Sequence, residues 1–130
     1  MAGYTVVKLT EVEDKAVAFG LSPGLESRFA REPLELENSG MSLFRLAPGF
    51  RTPFGHRHAR QEEVYVVVEG SVRAKLDDDV VELGQWDAIR VPPETVRCLE
   101  GGPEGGRFLA FGAPNVGMGD AEPIPGWWSD

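Results

Sequence analysis

The chain has little sulfur and little positive charge. Its 130 residues include one cysteine, Cys98, so no disulfide can form within the chain, as is typical of a reducing compartment. Acidic residues outnumber basic ones by 21 to 13, and the formal net charge of −8 would repel nucleic acid and anionic membrane surfaces. We find neither a signal-peptide pattern nor an apolar run near the ~18 residues of a membrane span. The sequence therefore predicts a cytoplasmic protein that binds neither nucleic acid nor membrane.

Long helical patterns are also missing. The 16 glycines and 10 prolines separate apolar runs of about five residues, which is the spacing of short strands joined by turns. The predicted strands are 25–30, 41–46, 63–68, 71–76, 80–83, 86–91, 96–99 and 107–111, with a glycine-rich loop at 101–106. The first of these, 25–30, could also be a single helical turn. This pattern predicts an all-β barrel or sandwich. The length suits a single domain over residues 1–130, with the core barrel at about 25–112.

The two ends of the chain are predicted to differ from this core. Residues 4–9 are rich in β-branched side chains and predict an edge strand, or one exchanged with a second chain. The tail, 113–130, is rich in glycine and proline and is predicted to be irregular. It carries Trp127 and Trp128, whose exposure would cost ~25 cal/mol per Å² of apolar surface. We therefore expect at least one of them to dock onto the barrel or a neighbouring subunit.

The only histidines, His56 and His58, stand two residues apart. On a strand, residues at this spacing point to the same side, so both imidazoles can converge on one point. Glu62 and Glu63 follow after a short polar interval. A carboxylate from the next strand could complete a metal-binding face.

The spacing of these residues resembles the first motif of the cupin family. The residues at its positions are Gly49, His56, His58, Glu63 and Gly70, with one more residue than usual between the first two. The distance to Gly70 selects Glu63 rather than Glu62 as the carboxylate ligand. Strand parity agrees, because it places Glu63 on the same face as Tyr65.

Residues 84–97 resemble the second motif of the family. Gly84 and Pro92-Pro93 fit, Glu94 stands where glycine is usual, and Arg97 stands at the position of the family's third histidine. The resemblance implies a double-stranded β-helix, the jelly-roll-type barrel of cupins. Cupins commonly bind a divalent metal through three histidines and a glutamate. Here the implied ligands are His56, His58 and Glu63, a set that suits Fe, Mn, Ni or Zn, and the alternative is a metal-free polar cluster.

Arg97 bears on both alternatives. A guanidinium stays charged and ligates no metal. Its repulsion of a divalent ion, ~5 kcal/mol at about 6 Å and an effective dielectric constant of about 20, is smaller than the ~10–16 kcal/mol of structural zinc sites. Arg97 could also swing away, pair with Glu62, Glu63 or Glu94, or bind a small anionic ligand. Gln61 and Tyr65 could line the same pocket. Cys98, next in the strand, is interpreted as a buried structural thiol.

Two classes of function follow. One is a metal-dependent oxygenase, isomerase or lyase acting on a small organic acid held by Arg97. The other is a non-catalytic small-molecule-binding barrel, or a structural dimeric module, without metal. The outward-facing side chains of Val64, Val66 and Val68 would need cover that a single barrel does not provide. In cupins a partner's sheet commonly covers this face, so we predict a homodimer.

Overall fold

The computed structural model describes residues 3–115 and 118–128. Its strands are β1 (Leu25–Phe29), β2 (Gly40–Leu46), β3 (Phe54–His58), β4 (Glu62–Leu76), β5 (Asp79–Leu83), β6 (Ala88–Val91), β7 (Arg97–Ala113) and β8 (Ala121–Pro125). Two short 3-10 helices, Leu9–Glu11 and Met118–Asp120, are the helical elements of the described ranges. No helix in these ranges has the length and apolar character needed to cross a bilayer. The predicted all-β class is confirmed.

All eight strands belong to one sheet that curls on itself. β1, β2, β7, β3 and β8 are neighbours in that order, and β4 pairs with β5, β6 and β7. Every pairing is antiparallel. The long strands β4 and β7 run side by side for most of their length. They carry the sheet around the barrel as a double-stranded β-helix.

The core fills the barrel with one face of each strand. On β4, Tyr65 and Val67 are buried, and Val64 and Val66 on the opposite face are half-buried, as their parity predicts. Tyr65 packs edge-on against Phe108 at 5.7 Å between ring centroids. Burial of each such large apolar side chain contributes about 1.5–3 kcal/mol. The alternation fixes which residues of β4 can reach the inside.

The glycine-rich stretch 101–106 is not the predicted loop but the middle of β7. A Cβ on Gly101 would lie 2.2 Å from the carbonyl oxygen of Ala47, and one on Gly106 would lie 2.3 Å from that of Ser71. The glycines therefore allow neighbouring backbones to approach closely. The ladder between β4 and β7 continues past them with two register shifts. The strands predicted at 63–68 and 71–76 are thus one long strand, β4, and those predicted at 96–99 and 107–111 are another, β7.

The N-terminal residues form no strand within the described chain before Asp14. Tyr4 and Val6 are 77% and 82% exposed. The edge of β1 is instead contacted by Asp14, which bridges to Arg28 and accepts the backbone N–H of Ser27 at 2.9 Å. The predicted edge strand at 4–9 is therefore wrong for the single chain, and its exchange with a second chain stays a prediction.

The C-terminal tail is more ordered than its composition predicts. Residues 121–125 form β8, which pairs with β3 at the edge of the sheet. Pro123 and Pro125 are compatible with this position because an edge strand needs only half of its backbone groups for pairing. Docking of the tryptophans is confirmed: the Lys75 ammonium lies 4.5 Å from the centroid of the Trp127 ring, and the Arg51 guanidinium lies 4.5 Å from that of Trp128.

Candidate metal centre

β3 and β4 bring the three predicted metal ligands together. The rings of His56 and His58 are 5.1 Å apart and nearly perpendicular. Their Nε2 atoms lie 3.5 Å and 3.4 Å from Oε1 of Glu63. One donor atom from each of the three residues falls within 4.8 Å of the other two. The side chain of His58 is 9% exposed and that of His56 33%, so solvent reaches the cluster from the His56 side.

The neighbouring carboxylate, Glu62, points away from this cluster. Its side chain is 55% exposed and lies 3.5 Å from an Arg90 nitrogen. The alternation of a β-strand separates the two carboxylates, because adjacent side chains emerge on opposite faces. Glu63 is therefore the carboxylate that the barrel presents to the histidines.

Glu63 is held as a carboxylate by its neighbours. Burial raises the pKa of Glu63, but the adjacent His56 and His58 imidazoles and the Tyr65 hydroxyl outweigh it and hold this pKa well below the usual range. The Tyr65 hydroxyl donates to Oε1 of Glu63 at 2.8 Å. Burial, reinforced by the adjacent Glu63 charge, raises the pKa of Tyr65, so the phenol stays a proton donor. Glu63 is thus ionised at neutral pH and available as a ligand.

Arg97 is a buried cation at the edge of the cluster. It is 0% exposed. Its Nη2 donates to the carbonyl oxygen of Pro92 at 2.9 Å and to that of Val91 at 3.4 Å, and its Nη1 donates to that of Pro93 at 3.4 Å. Its Nε lies 3.8 Å from Oε1 of Glu63. Of the alternatives predicted for the Arg97 side chain, the structure shows a contact with Glu63. The terminal nitrogens of Arg97 are directed at backbone carbonyls.

The two residues expected to line a pocket behave differently. Tyr65 contacts Glu63 through its hydroxyl, as described above. Gln61 packs against Gly112 and donates to the carbonyl oxygen of Pro114 at 3.3 Å, so its side chain turns towards β7. Cys98 is buried, with its Sγ 2.8 Å from the Thr52 hydroxyl oxygen. This burial agrees with its interpretation as a structural thiol.

Asp120 is a functional candidate that the sequence did not reveal. Its Oδ2 lies 3.3 Å from Nδ1 of His58. Burial raises the pKa of Asp120, but hydrogen bonds from the backbone N–H groups of Gln61 and Arg60, together with the nearby His58, lower it by more. The net shift of this pKa is downward. Asp120 lies 62 positions after His58 in the tail, and no spacing pattern links the two. They are brought together by the pairing of β8 with β3 and by contacts of Asp120 with the turn after β3.

The cluster fits a divalent metal ion by the chemistry of its donors. Both ring nitrogens of His58 are buried without a hydrogen-bond partner of good geometry among the described residues. One of them faces Glu63 and the other a second carboxylate, which is the usual environment of a histidine that ligates a metal. A cation among His56, His58 and Glu63 would give the buried Nε2 of His58 the partner that it lacks.

Comparison with known proteins agrees with this fold. The cupin-domain family model matches residues 42–108, about half of the chain. The chain belongs to the cupin family. Uncharacterized protein MJ1618 of Methanocaldococcus jannaschii is 36% identical over 45 residues, which are 35% of this chain and 36% of that protein. The cupin thus matches about a third of the length of this curated relative.

Solved structures match over nearly the whole chain. A cupin protein from Bacteroides fragilis has a TM-score of 0.73 at 20% identity, covering 91% of this chain and 90% of that one. An uncharacterized conserved protein with a double-stranded β-helix domain from Klebsiella pneumoniae has a TM-score of 0.71 at 18% identity, covering 92% and 96%. At these identities the likeness establishes the fold alone.

Proposed function

We propose that this cupin binds a divalent metal ion through His56, His58 and Glu63, and that the ion takes a small organic ligand at its remaining positions. The observation that carries the proposal is the convergence of three donor atoms within 4.8 Å, one of them on a buried imidazole with no other partner of good geometry. Two histidines and a carboxylate suit Fe, Mn, Ni or Zn. When bound, such an ion would supply Lewis-acid or redox chemistry to a coordinated ligand.

Electrostatics favour an anionic ligand. A divalent ion and Arg97 together carry three positive formal charges, and Glu63 and Asp120 together carry two negative ones. The metal-loaded site therefore has a net charge of +1 and attracts an anion. Arg97 would act through its field, because its terminal nitrogens are directed at backbone carbonyls. A small organic acid coordinated to the ion would suit an oxygenase, isomerase or lyase. Tyr65 would hold Glu63 in place during such a reaction.

Elemental analysis of protein purified without a histidine tag tests the metal site. We expect about one divalent ion per chain, and a large loss in Glu63→Gln or in the double variant His56→Ala, His58→Ala. Glu62→Gln is the matched control, because it removes the same charge one residue away on the opposite face. Equal metal content in Glu63→Gln and Glu62→Gln would overturn the assignment of the ligands.

The Arg97–Glu63 contact favours a second candidate function, a metal-free binding barrel. The guanidinium lies 3.8 Å from the carboxylate and can balance its charge without an ion. In that case the purified protein holds no stoichiometric metal, and organic acids raise its melting temperature in a way that is lost in Arg97→Ala. Metal content and ligand-dependent melting together separate the two functions.

We also propose that the protein is a homodimer. Phe111 on β7 is 38% exposed, and its neighbour Val64 on the paired strand β4 is half-buried. They form an apolar outer face that a second copy would cover. The exposed segment before Leu9 would add to this cover by strand exchange. Light scattering at micromolar concentration should give twice the chain mass, and Phe111→Asp should give the monomer. A monomeric wild-type protein would overturn this proposal. The cytoplasmic location stays a prediction.

A further inference from the structure

The C-terminal segment, residues 118–128, lies against the strand that carries both histidines. β8 pairs with β3 from Phe54 opposite Pro125 to His58 opposite Ala121. Immediately before β8, Asp120 places its Oδ2 3.3 Å from Nδ1 of His58. The other nitrogen of that ring, Nε2, lies 3.4 Å from Glu63. The His58 ring therefore has the metal ligands on one side and a carboxylate from the C-terminal segment on the other.

We propose that Asp120 is the positioning residue for His58, and that docking of the C-terminal segment is coupled to metal binding; the inference rests on the proposed function. From this distance the Asp120 carboxylate would accept the Nδ1 proton in the metal-loaded protein, which would fix the tautomer whose lone pair is at Nε2 and the orientation of the ring. Within the described residues no carboxylate other than Glu63 contacts His56. His58 is thus the histidine whose geometry the tail controls.

The backbone holds the Asp120 carboxylate in place. It accepts the N–H of Arg60 at 3.0 Å and that of Gln61 at 3.0 Å. The carbonyl oxygen of Asp120 accepts the N–H of Ala59 at 3.1 Å. These contacts tie the start of the C-terminal segment to the turn that follows β3. The distance between Asp120 and His58 is therefore set by main-chain pairing.

The other end of the segment is anchored far from the histidines in sequence. The Lys75 ammonium donates to the carbonyl oxygen of Trp127 at 2.6 Å and lies against the same ring. Gly55 of β3 leaves the space that the Trp127 side chain occupies. Because one docked segment joins these anchors to Asp120, loss of an anchor should also loosen His58. By linkage, metal binding must stabilise docking by the same free energy.

Affinity for Co²⁺, measured by competition with a chelating dye, tests the positioning role. Loss of an outer carboxylate that orients a ligand typically weakens metal binding 10–100-fold. We expect that loss in Asp120→Ala and in Asp120→Asn, because the amide keeps the size of the side chain but loses the charge that makes the His58 ring a stronger ligand. Glu122→Gln is the matched control, because Glu122 is two residues away in the same segment and pairs with Arg57 instead. It should change the affinity by less than about twofold.

Hydrogen exchange of the β8 amides tests the coupling without reference to activity. We expect Co²⁺ to slow the exchange of these amides in the wild type by about the same factor as that by which Asp120→Asn weakens Co²⁺ binding. In Asp120→Asn itself, Co²⁺ should have little effect on the exchange. Lys75→Met removes the remote anchor and should weaken Co²⁺ binding severalfold. Lys15→Met, at an exposed lysine that pairs with Glu13, should not.

Each failure has its own signature. A wild type that binds no Co²⁺ overturns the proposed function and this inference with it. A wild type that binds Co²⁺ as tightly as folded Asp120→Ala and Asp120→Asn overturns the inference and leaves the proposed function standing. If circular dichroism finds Asp120→Ala unfolded, Asp120→Asn and Lys75→Met decide the result.

Discussion

The two walls of the candidate metal centre differ in the charge that they contribute. One wall, β3 and β4, supplies two imidazoles and a carboxylate, all of them donors for a cation. The other, the start of β7, supplies Arg97, a cation with no lone pair to give. Yet His56 and Arg97 are directly opposite each other in the same ladder. Backbone pairing and core packing therefore keep the barrel intact with a cation opposite the donor side chains, whereas the proposed metal binding depends on a few side-chain atoms.

Arg97→His should have the largest effect, because it makes the two walls alike. It removes a charge about 6 Å from the expected ion, a repulsion of roughly 5 kcal/mol at an effective dielectric constant of about 20. Even half of that corresponds to about 100-fold in affinity. We expect at least this gain for Zn²⁺ or Mn²⁺ in chelator competition. Arg90→His, on the outer face, is the control, and an unchanged affinity in Arg97→His would mean that Arg97 does not act on the ion.

Arg97→Met sharpens the comparison in the absence of metal. Removal of one partner from a buried ion pair typically costs about 3–5 kcal/mol, because the other charge stays buried. Here Glu63 and the carbonyl oxygens of Val91 and Pro92 would lose their partner. We expect a loss of about this size in urea unfolding with EDTA present. Arg90→Met should cost less than about 0.5 kcal/mol.

Metal should then rescue the variant. A saturating divalent ion should raise the free energy of unfolding of Arg97→Met more than that of the wild type, because the ion replaces the missing positive charge. Equal stability of Arg97→Met and wild type in EDTA would show that the Arg97–Glu63 contact does not hold the metal-free site together.

Gly55→Ala tests the packing of the C-terminal segment against β3, the strand that carries both histidines. A Cβ on Gly55 would lie 2.9 Å from the Trp127 ring, whereas one on Gly40, a strand glycine of β2, would have no neighbour within 4 Å. Overpacking of this kind costs about 1–3 kcal/mol. We expect a loss of this size, with faster proteolysis of the tail, in Gly55→Ala but not in Gly40→Ala. Identical behaviour of the two variants would contradict tail docking over β3.

The sequence predicts the three donor residues on β3 and β4 better than it predicts the residues around them, for a physical reason. The alternation of side chains along a strand is local, so the convergence of His56 and His58 and the choice of Glu63 over Glu62 follow from parity and motif spacing. The pairing of β8 with β3 is a long-range contact with no local signal, so the sequence does not indicate Asp120. The sequence predicts a loop at 101–106, where the structure has a strand, because glycine that permits close strand contact looks the same in a sequence as glycine that permits a turn.

Cys98→Ala should have the smallest effect and tests the orientation of the second wall. Because neighbouring residues of a strand face opposite ways, Cys98 must point away from the site if Arg97 points towards it. Burial raises the pKa of the Cys98 thiol, and the Thr52 hydroxyl offsets this only in part. At neutral pH, Cys98 is therefore ionised to a smaller extent than a free cysteine. It should alkylate slowly in the native protein and rapidly in urea.

We expect Cys98→Ala to cost about 1 kcal/mol of stability and to leave metal content unchanged. Loss of metal in this variant, or rapid alkylation of native protein, would mean that β7 presents the other face to the barrel and that Arg97 is not part of its wall.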